Sequence, residues 1–239
     1  MLGEVSGRVS TLWTSFARSK RRIRIYVPPK IESTPPVLVL FDGQNALDDH
    51  GSFAGGWRAH EAIAKLPSTI RRPVLIAIDH GHERRIHELW RGLDETLHLV
   101  RHVALPEAER EVGLRFDPQA RVIGGASMGG LASLAAVARH PDWFASALAM
   151  SPSTWIAPAA IRHELAHARI DHARFYVDVG MRESARMVRE SQLTARLLAR
   201  RLGESRVMWR PDQRGLHREK DWRRRLPKAL RFLFRRSAP

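Results

Sequence analysis

Short runs of apolar residues recur along the chain and predict buried β-strands. The predicted strands of this kind are 37–41, 74–78, 122–123 leading into glycines, 147–150 and 175–179. Residues 22–27 instead alternate charged and apolar side chains, which is typical of a half-exposed strand. Continuous apolar runs of this length favour parallel strands that are buried on both faces of a sheet.

Helical stretches separate the predicted strands. They are predicted at 57–65, 97–113, 128–139, 183–202 and 221–234. The second is expected to be interrupted near Pro106, and Gly203 is expected just beyond the end of the fourth. Alternating strands and helices predict an α/β fold with a mainly parallel central sheet and helices on both faces. A length of 239 residues suits a single domain spanning 1–239.

The net charge of +15, with histidine neutral, is concentrated at the two ends of the chain. Residues 1–30 carry +6 and residues 200–239 carry +10, whereas the stretch between them carries −1. Basic ends of this kind could attract nucleic acid, a membrane surface or an anionic substrate. Arginine-rich, solvated faces explain the same count, and we favour that interpretation, so no nucleic-acid partner is expected.

Several classes of protein are excluded by what the sequence lacks. The chain has no cysteine, which rules out disulfides, thiolate zinc sites, iron–sulfur clusters and a catalytic thiol. No apolar stretch reaches about 18 residues, so no membrane span is predicted. The first residues lack a basic start followed by an apolar run, so we expect no signal peptide and a cytoplasmic location. The cluster Asp48-Asp49-His50 matches no common metal-ligand spacing, and neither a metal nor a cofactor is expected.

The segment R-V-I-G-G-A-S-M-G-G-L, residues 121–131, carries the most informative motif. It contains G-x-S-x-G centred on Ser127, with a predicted strand before it and an alanine-rich helix after it. In this context the serine lies on a strained turn that exposes its hydroxyl above the sheet, and small flanking residues let the backbones approach. The alternative is a glycine-rich turn that packs closely or binds a phosphate.

A serine nucleophile requires a base and a group that orients the base. His217 is the candidate base, because it lies in a loop just before the final helix. The other histidines after Ser127 lie at a helix end or near an exposed helical stretch: His140, His163, His167 and His172. Glu183 follows the strand at 175–179 and is the first candidate for the acid, with Asp178 in that strand as the second. Glu183 could instead be a carboxylate favoured by a helix N-terminus.

Two backbone N–H groups should hold the oxyanion that forms during ester cleavage. One is expected from Met128, which follows the nucleophile. The other is expected from Gln44, in the loop D-G-Q-N that follows the strand at 37–41. A plain Asp-Gly turn is the alternative interpretation of that loop.

A few further residues could bind substrate. Trp57, Trp155 and Trp90 could line an acyl or aromatic pocket, although aromatic residues lie more often in a core. Arg84 and Arg85 could bind an anionic substrate, and a solvated pair is the alternative.

From about residue 21 to 234 the chain resembles the esterase family of α/β-hydrolases. This family includes enterochelin (siderophore) esterases, feruloyl and acetyl-xylan-type esterases, S-formylglutathione hydrolase relatives and mycolyltransferases. The resemblance is carried by R-R-I-R-I-Y-V-P-P, L-F-D-G-Q-N-A-L-D-D, G-G-A-S-M-G-G, S-P-S-T-W, Y-V-D-V-G-M-R-E and G-L-H-R-E-K-D-W-R-R-R-L-P-K-A-L-R-F-L-F.

The resemblance implies the same roles as the residues do. It places the nucleophile at Ser127, the base at His217, the acid at Glu183, and the oxyanion donors at Gln44 and Met128. It also implies that the basic tail 218–236 is a docked helix. Siderophore-esterase-like members often have Glu-Tyr-x-Pro after an arginine where this chain reads E-R-R-I-H-E-L-W at 83–90, so the resemblance leaves the substrate unidentified.

We therefore expect a serine esterase that hydrolyses a small-molecule carboxylic ester through an acyl-enzyme, with a siderophore-type, aryl or short-acyl ester as substrate. An acyltransferase would use the same residues with an alcohol in place of water. A non-catalytic binding module using the basic ends is the remaining alternative. The sequence does not indicate an oligomeric state.

Overall fold

A single sheet of eight strands runs through the computed structural model, which describes residues 7–49, 52 and 54–236. The strands are β1 (Arg8–Phe16), β2 (Ser19–Val27), β3 (Val37–Phe41), β4 (Val74–Ile78), β5 (Arg121–Ala126), β6 (Ser146–Met150), β7 (Arg174–Gly180) and β8 (Val207–Asp212). Their spatial order is β1-β2-β4-β3-β5-β6-β7-β8. The pairs β1/β2 and β2/β4 are antiparallel and all the others are parallel, which confirms the mainly parallel sheet.

Helices cover both faces of this sheet. They are α1 (Ala59–Ala64), α2 (Arg85–Glu88), α3 (Leu93–Leu99), α4 (Leu105–Val112), α5 (Met128–Arg139), α6 (Pro158–His167), α7 (Ala185–Leu202) and α8 (Glu219–Leu233). The apolar residues of α1 and α8 belong to one buried cluster, and those of α3 to α7 belong to another. None of the helices in the described ranges is long and apolar enough to cross a membrane.

The uniform apolar runs of the central strands follow from this two-sided burial. All five residues of β3 are buried, and they alternate between the two clusters, with Val39 in one and Leu38 and Leu40 in the other. The strands β4 and β6 are buried along their whole length as well. The bounds of β3 and β4 match the sequence prediction, because a strand buried on both faces leaves no polar position inside it.

The two outermost strands were not predicted. Both β1 and β8 lie at the edges of the sheet and keep exposed residues, so neither carries a continuous apolar run. Strand β8 also contains Pro211. Proline cannot donate a sheet hydrogen bond, and an edge strand tolerates it because one side of that strand has no partner strand. Strand β2 begins at Ser19, three residues before the predicted start.

The predicted interruption near Pro106 takes a different form. Helical structure is continuous from Leu93 to Val112, and a wide π-helical turn, Val100–Ala104, precedes the proline. Proline lacks an N–H and would clash with the carbonyl four residues before it in a regular helix. The wider turn accommodates this proline without ending the helix, so the prediction of a break was wrong.

The parallel strands bring several loops to one edge of the sheet. Because β3, β5, β6, β7 and β8 run in the same direction, the loops that follow them lie together at their carboxyl ends. Ligands of open α/β sheets bind at this edge. Every candidate for nucleophile, base, acid and oxyanion donor lies in or beside these loops, except Asp178, which lies within β7.

Candidate active site

Ser127 occupies the sharp turn between β5 and α5. Its backbone has φ 57° and ψ −119°, a strained conformation for a residue with a side chain. A Cβ on Gly125 would lie 2.7 Å from the carbonyl carbon of Gly129, so the turn requires glycine there. Ser127 is partly exposed and lies at the N-terminus of the 12-residue helix α5, where the helix dipole favours developing negative charge.

The Ser127 hydroxyl has a neighbour that was not predicted from the sequence. Its Oγ lies 3.2 Å from Oγ of Ser153, and the Ser153 N–H donates to the Ser127 carbonyl at 2.9 Å. No hydrogen bond joins Ser127 to His217 in this structure, although both are among the described residues. Hydrogen bonds between catalytic groups are often absent or long without substrate.

His217 and Glu183 form a direct pair. His217 Nδ1 lies 2.9 Å from Glu183 Oε2, and the side chains are 32% and 0% exposed respectively. An ionised carboxylate only accepts hydrogen bonds, so Nδ1 carries the proton in this pair and Nε2 is left as an acceptor. The ring of Trp222 packs edge-on against the imidazole with centroids 4.9 Å apart, which fixes the ring orientation.

Glu183 is held as a carboxylate by several donors. Its Oε1 accepts hydrogen bonds from the Gly180 N–H at 2.8 Å and from the Ser151 hydroxyl at 2.6 Å. Burial acts to raise the pKa of Glu183, but the hydrogen bonds from His217, Ser151 and Gly180 outweigh it and hold that pKa below its ordinary value. The acid is therefore ionised and ready to orient the imidazole.

Ser151 connects Glu183 to the last helix. Its buried hydroxyl accepts hydrogen bonds from Trp222 Nε1 at 3.1 Å and from Arg225 Nη2 at 3.0 Å while it donates to Glu183. No role was predicted for Ser151, Arg225 or Ser153 from the sequence. The available signal was S-P-S-T-W directly after a buried strand, since loops after parallel strands meet at one edge.

Asp178, the second candidate for the acid, lies in a different environment. It is fully buried, accepts a hydrogen bond from the Ser151 N–H at 3.0 Å and lies 3.4 Å from Arg225 Nη1. Burial raises the pKa of Asp178 to about 6, with the Arg225 charge acting in the opposite direction. The Tyr176 hydroxyl donates to its other oxygen at 3.1 Å. The structure therefore brings His217 to Glu183 and not to Asp178.

The two predicted oxyanion donors lie at the same edge of the sheet. Gln44 lies in a 3₁₀ turn after β3, and Met128 is the first residue of α5. Neither backbone N–H has an acceptor among the described residues. Asp42 precedes the turn with φ 55°, and its carboxylate accepts two hydrogen bonds from Arg85, at 2.6 and 2.7 Å.

A cavity of about 570 Å³ adjoins the Gln44 loop. Lys20 and Arg84 contribute positive charge to its lining, whereas Arg22 is paired with Asp79 at 2.8 Å. Arg84 is 49% exposed, and its Nε lies 3.7 Å from Glu88. Arg84 is therefore placed where an anionic substrate could reach it.

Other predicted contacts are placed differently. Trp57 is only 2% exposed and packs against Trp222 with centroids 6.0 Å apart, so its side chain belongs to the core and offers no open face to a ligand. Trp155 is half-buried beneath Arg186. The alternative of a solvated Arg84–Arg85 pair is wrong for Arg85, because the Arg85 side chain forms an ion pair with buried Asp42.

No group of three or more histidine, aspartate and glutamate side chains in the described part of the chain could hold a metal ion. Of the cluster Asp48-Asp49-His50, the histidine lies outside the described residues. Asp49 accepts hydrogen bonds from the Gly56 N–H at 2.8 Å and from Arg58 Nη2 at 2.7 Å. These contacts join Asp49 to two residues that directly precede α1.

A family model covers nearly the whole chain. The model described as "Putative esterase" matches residues 15–233, which include every candidate active-site residue. The chain belongs to this esterase family. The resemblance inferred from the motifs is thereby confirmed.

Two curated relatives are named as esterases. The chain is 27% identical over 156 residues to the iron(III) salmochelin esterase of Escherichia coli O6:H1 (strain CFT073), an alignment that covers 64% of this chain. It is 32% identical over 146 residues to the iron(III) enterobactin esterase of Dickeya dadantii (strain 3937), covering 57% of this chain. The chain spans only 37% and 31% of the lengths of these relatives.

The fold is shared with a solved esterase. The enterobactin esterase FES from Shigella flexneri superposes with a TM-score of 0.81 at 23% identity, over 95% of this chain and 58% of that one. This similarity confirms the α/β-hydrolase fold.

Proposed function

We propose that this protein is a serine esterase in which Ser127 attacks the ester carbonyl, His217 is the base and Glu183 orients it. The observation that carries the proposal is the pairing of a strained, helix-capping Ser127 with a buried carboxylate–imidazole pair at the same sheet edge. One loop links the two parts, because Ser153 contacts Ser127 and Ser151 contacts Glu183. This is the arrangement of nucleophile, base and orienting acid that acyl transfer requires.

The first chemical step forms the acyl-enzyme. Ser127 Oγ leaves Ser153 and turns to His217 Nε2, which takes its proton as Oγ bonds to the carbonyl carbon. Glu183 stabilises the imidazolium that results, since it remains ionised next to Nδ1. The imidazolium then gives the proton to the leaving alkoxide, the ester C–O bond breaks, and the alcohol departs.

The tetrahedral oxyanion is stabilised by backbone donors. The N–H groups of Met128 and Gln44 lack acceptors within the described ranges, which suits groups that bind charge only as it develops. Hydrolysis repeats the sequence with water as the nucleophile. His217 takes a proton from water, the hydroxyl attacks the acyl carbon, and Ser127 recovers its proton as the carboxylic acid leaves.

The charge of the neighbouring cavity supports an anionic ester as the substrate. Arg21 and Arg22 are paired with Glu88 and Asp79, each at 2.8 Å, so the excess positive charge of the lining comes from Lys20 and Arg84, against Glu83. Such a lining attracts acidic acyl or alcohol groups. The names of the salmochelin and enterobactin esterases describe relatives that act on siderophores, and we propose a siderophore-type ester ahead of aryl and short-acyl esters.

Labelling with a fluorophosphonate, read by intact mass, tests the nucleophile directly. We expect one adduct on the wild type and none on Ser127→Ala. Ser205→Ala, at an exposed turn before β8, is the matched serine control and should be labelled like the wild type. Absence of an adduct on folded wild-type protein, judged by circular dichroism, would overturn the mechanism.

A paired set of esters tests the substrate class. We expect the iron(III) complex of a catecholate siderophore ester, which is anionic, to be cleaved with a higher kcat/KM than a neutral aryl ester of similar reactivity. Arg84→Gln should raise KM for the charged ester several-fold and leave KM for the neutral ester unchanged, because only the former gains from the charge. Equal effects on both esters would argue against an anionic substrate.

A further inference from the structure

A second cavity opens at the opposite edge of the sheet from Ser127. It has a volume of about 380 Å³ and lies beneath the amino ends of β6, β7 and β8. Arg174 begins β7, Arg206 directly precedes β8, and Arg235 follows α8. The strand β7 alone separates the two edges by roughly 20 Å, since a strand rises about 3.3 Å per residue.

These three arginines form a basic cluster with unused donors. Arg174 Nη1 donates to the Arg235 carbonyl at 3.4 Å, Arg206 Nη1 to the His172 carbonyl at 2.7 Å, and Arg235 Nη2 to the Ser205 carbonyl at 2.6 Å. Within the described ranges, no carboxylate forms an ion pair with any of the three. A guanidinium has five N–H donors, so most donors of the basic cluster remain available.

The basic cluster is unlike the other arginine contacts of this cavity. Arg71 lines the same cavity but forms ion pairs with Glu32 and Asp117 at 2.8 and 2.6 Å. Burial, and then repulsion from Arg235 and Arg206, lower the pKa of Arg174. Bringing three like charges to one concave surface costs free energy in the folded chain, and a bound anion would recover it.

We propose that the basic cluster of Arg174, Arg206 and Arg235 binds a small phosphate-bearing anion of the pyrophosphate class. The planar fork of a guanidinium matches two oxygens of a phosphate, and three such forks match a diphosphate carrying about three negative charges. The cavity is deep enough to be walled by the buried side chains of Leu233 and Phe234, which favours a compact ligand over an extended nucleic-acid backbone.

The site is independent of the proposed esterase activity. It accounts for part of the positive charge at the carboxyl end of the chain, because Arg206 and Arg235 both lie in the basic stretch 200–239. It uses no residue of the candidate active site, and the two sites lie at opposite ends of the parallel strands.

Isothermal titration calorimetry of the whole chain with sodium pyrophosphate tests the proposal, in phosphate-free buffer at about 0.15 M salt, where surface charges are largely screened. We expect one saturable site on the wild type. Arg174→Gln and Arg206→Gln should each weaken binding by roughly tenfold or more, the value of a charge-assisted hydrogen bond. Arg196→Gln, on an exposed position of α7, makes the same charge change away from the cavity and should alter Kd by less than about twofold.

Two further variants distinguish binding at this cavity from binding at the candidate active site and from loss of folding. Ser127→Ala should bind pyrophosphate with unchanged affinity, which separates the cavity from the candidate active site. Arg235→Gln, at an exposed position, should weaken binding without lowering the Tm and so guards against misfolded variants. Three results would each overturn the proposal. They are the absence of saturable binding, an equal weakening of binding in Arg196→Gln, and binding of duplex DNA that pyrophosphate does not displace.

Discussion

Replacing Ser151 with alanine removes one oxygen at the centre of the buried network behind His217. The Ser151 hydroxyl donates to Glu183 Oε1 at 2.6 Å, and the hydroxyl oxygen accepts from Trp222 Nε1 at 3.1 Å and from Arg225 Nη2 at 3.0 Å. Ser151 itself is fully buried, so water cannot replace the lost hydroxyl without a rearrangement of its neighbours. The variant therefore leaves two donors and one carboxylate oxygen without this shared partner.

The size of the effect follows from these contacts. A hydrogen bond to a charged group contributes about 1.5–3 kcal/mol, and a buried polar group left without a partner costs about 1–3 kcal/mol. Because the three bonds share one atom their values do not add, and we expect Ser151→Ala to lower the free energy of unfolding by roughly 2–4 kcal/mol. A less firmly held Glu183 should lower kcat by about tenfold, equivalent to about 1.4 kcal/mol.

Urea unfolding at several pH values, followed by fluorescence, measures this effect. The pKa of Glu183 lies below its ordinary value in the folded state, so its ionisation stabilises the fold above the unfolded pKa of about 4.3 and ceases to do so as the pH falls through the folded pKa. Ser151→Ala raises the folded pKa and reduces that contribution. The free energies of unfolding of the wild type and the variant should therefore differ more at neutral pH than below about pH 4.

Ser153→Ala is the matched control. It makes the same chemical change two residues away, also at a buried position, but its hydroxyl has one neutral contact, to Ser127 Oγ at 3.2 Å. We expect Ser153→Ala to lower the free energy of unfolding by about 1 kcal/mol or less, and by the same amount at every pH. If Ser151→Ala were as stable as Ser153→Ala at every pH, the network would not hold Glu183 in its ionised form.

Three further predictions concern single positions. Gly125→Ala should abolish fluorophosphonate labelling, because its Cβ would lie 2.7 Å from the Gly129 backbone; labelling at the wild-type rate would contradict this. Glu88→Gln should lower the free energy of urea unfolding by roughly 3–5 kcal/mol, since it breaks a buried pair with Arg21 at 2.8 Å in which both side chains are 3% exposed. Burial raises the folded pKa of Asp178 to about 6, so the protonated form favours the fold at acid pH. As the pH rises from about 4 to 6, the free energy of unfolding of the wild type should therefore fall by up to roughly 3 kcal/mol relative to that of Asp178→Asn. A constant difference in the free energy of unfolding between the two proteins over that pH range would refute the raised pKa of Asp178.

The nucleophile turn was predictable because its constraints are local. A strand, a strained residue and a helix follow one another within residues 121–139, and the close approach of Gly125 to the Gly129 backbone excludes a side chain at position 125. The order of strands and helices was predictable for the same reason, since two-sided burial leaves continuous apolar runs. The edge strands β1 and β8 lack such runs and could not be recognised by that signal.

The buried network behind His217 could not be predicted from local sequence. Ser151 lies in the loop after β6, Glu183 follows β7, and Arg225 lies on α8, so their contacts depend on the register of parallel strands and on how the last helix docks. Short hydrophilic stretches give no information on such pairings. For this reason the sequence did not distinguish Ser151, whose hydroxyl makes three hydrogen bonds, from an ordinary loop residue.

The choice between Asp178 and Glu183 shows the same dependence on tertiary structure. Both carboxylates lie near the end of β7, and spacing alone leaves either able to face the base. Asp178 lies inside the sheet, where Tyr176, the Ser151 N–H and Arg225 fill the space around it, whereas Glu183 lies five residues further on, where the chain has turned toward the β8–α8 loop. Arg225 contacts Asp178 at 3.4 Å and lies 3.9 Å from Glu183. One cation thus balances two buried carboxylates, so that Asp178 fixes Arg225 and Ser151 in place while Glu183 is left free to bind the imidazole.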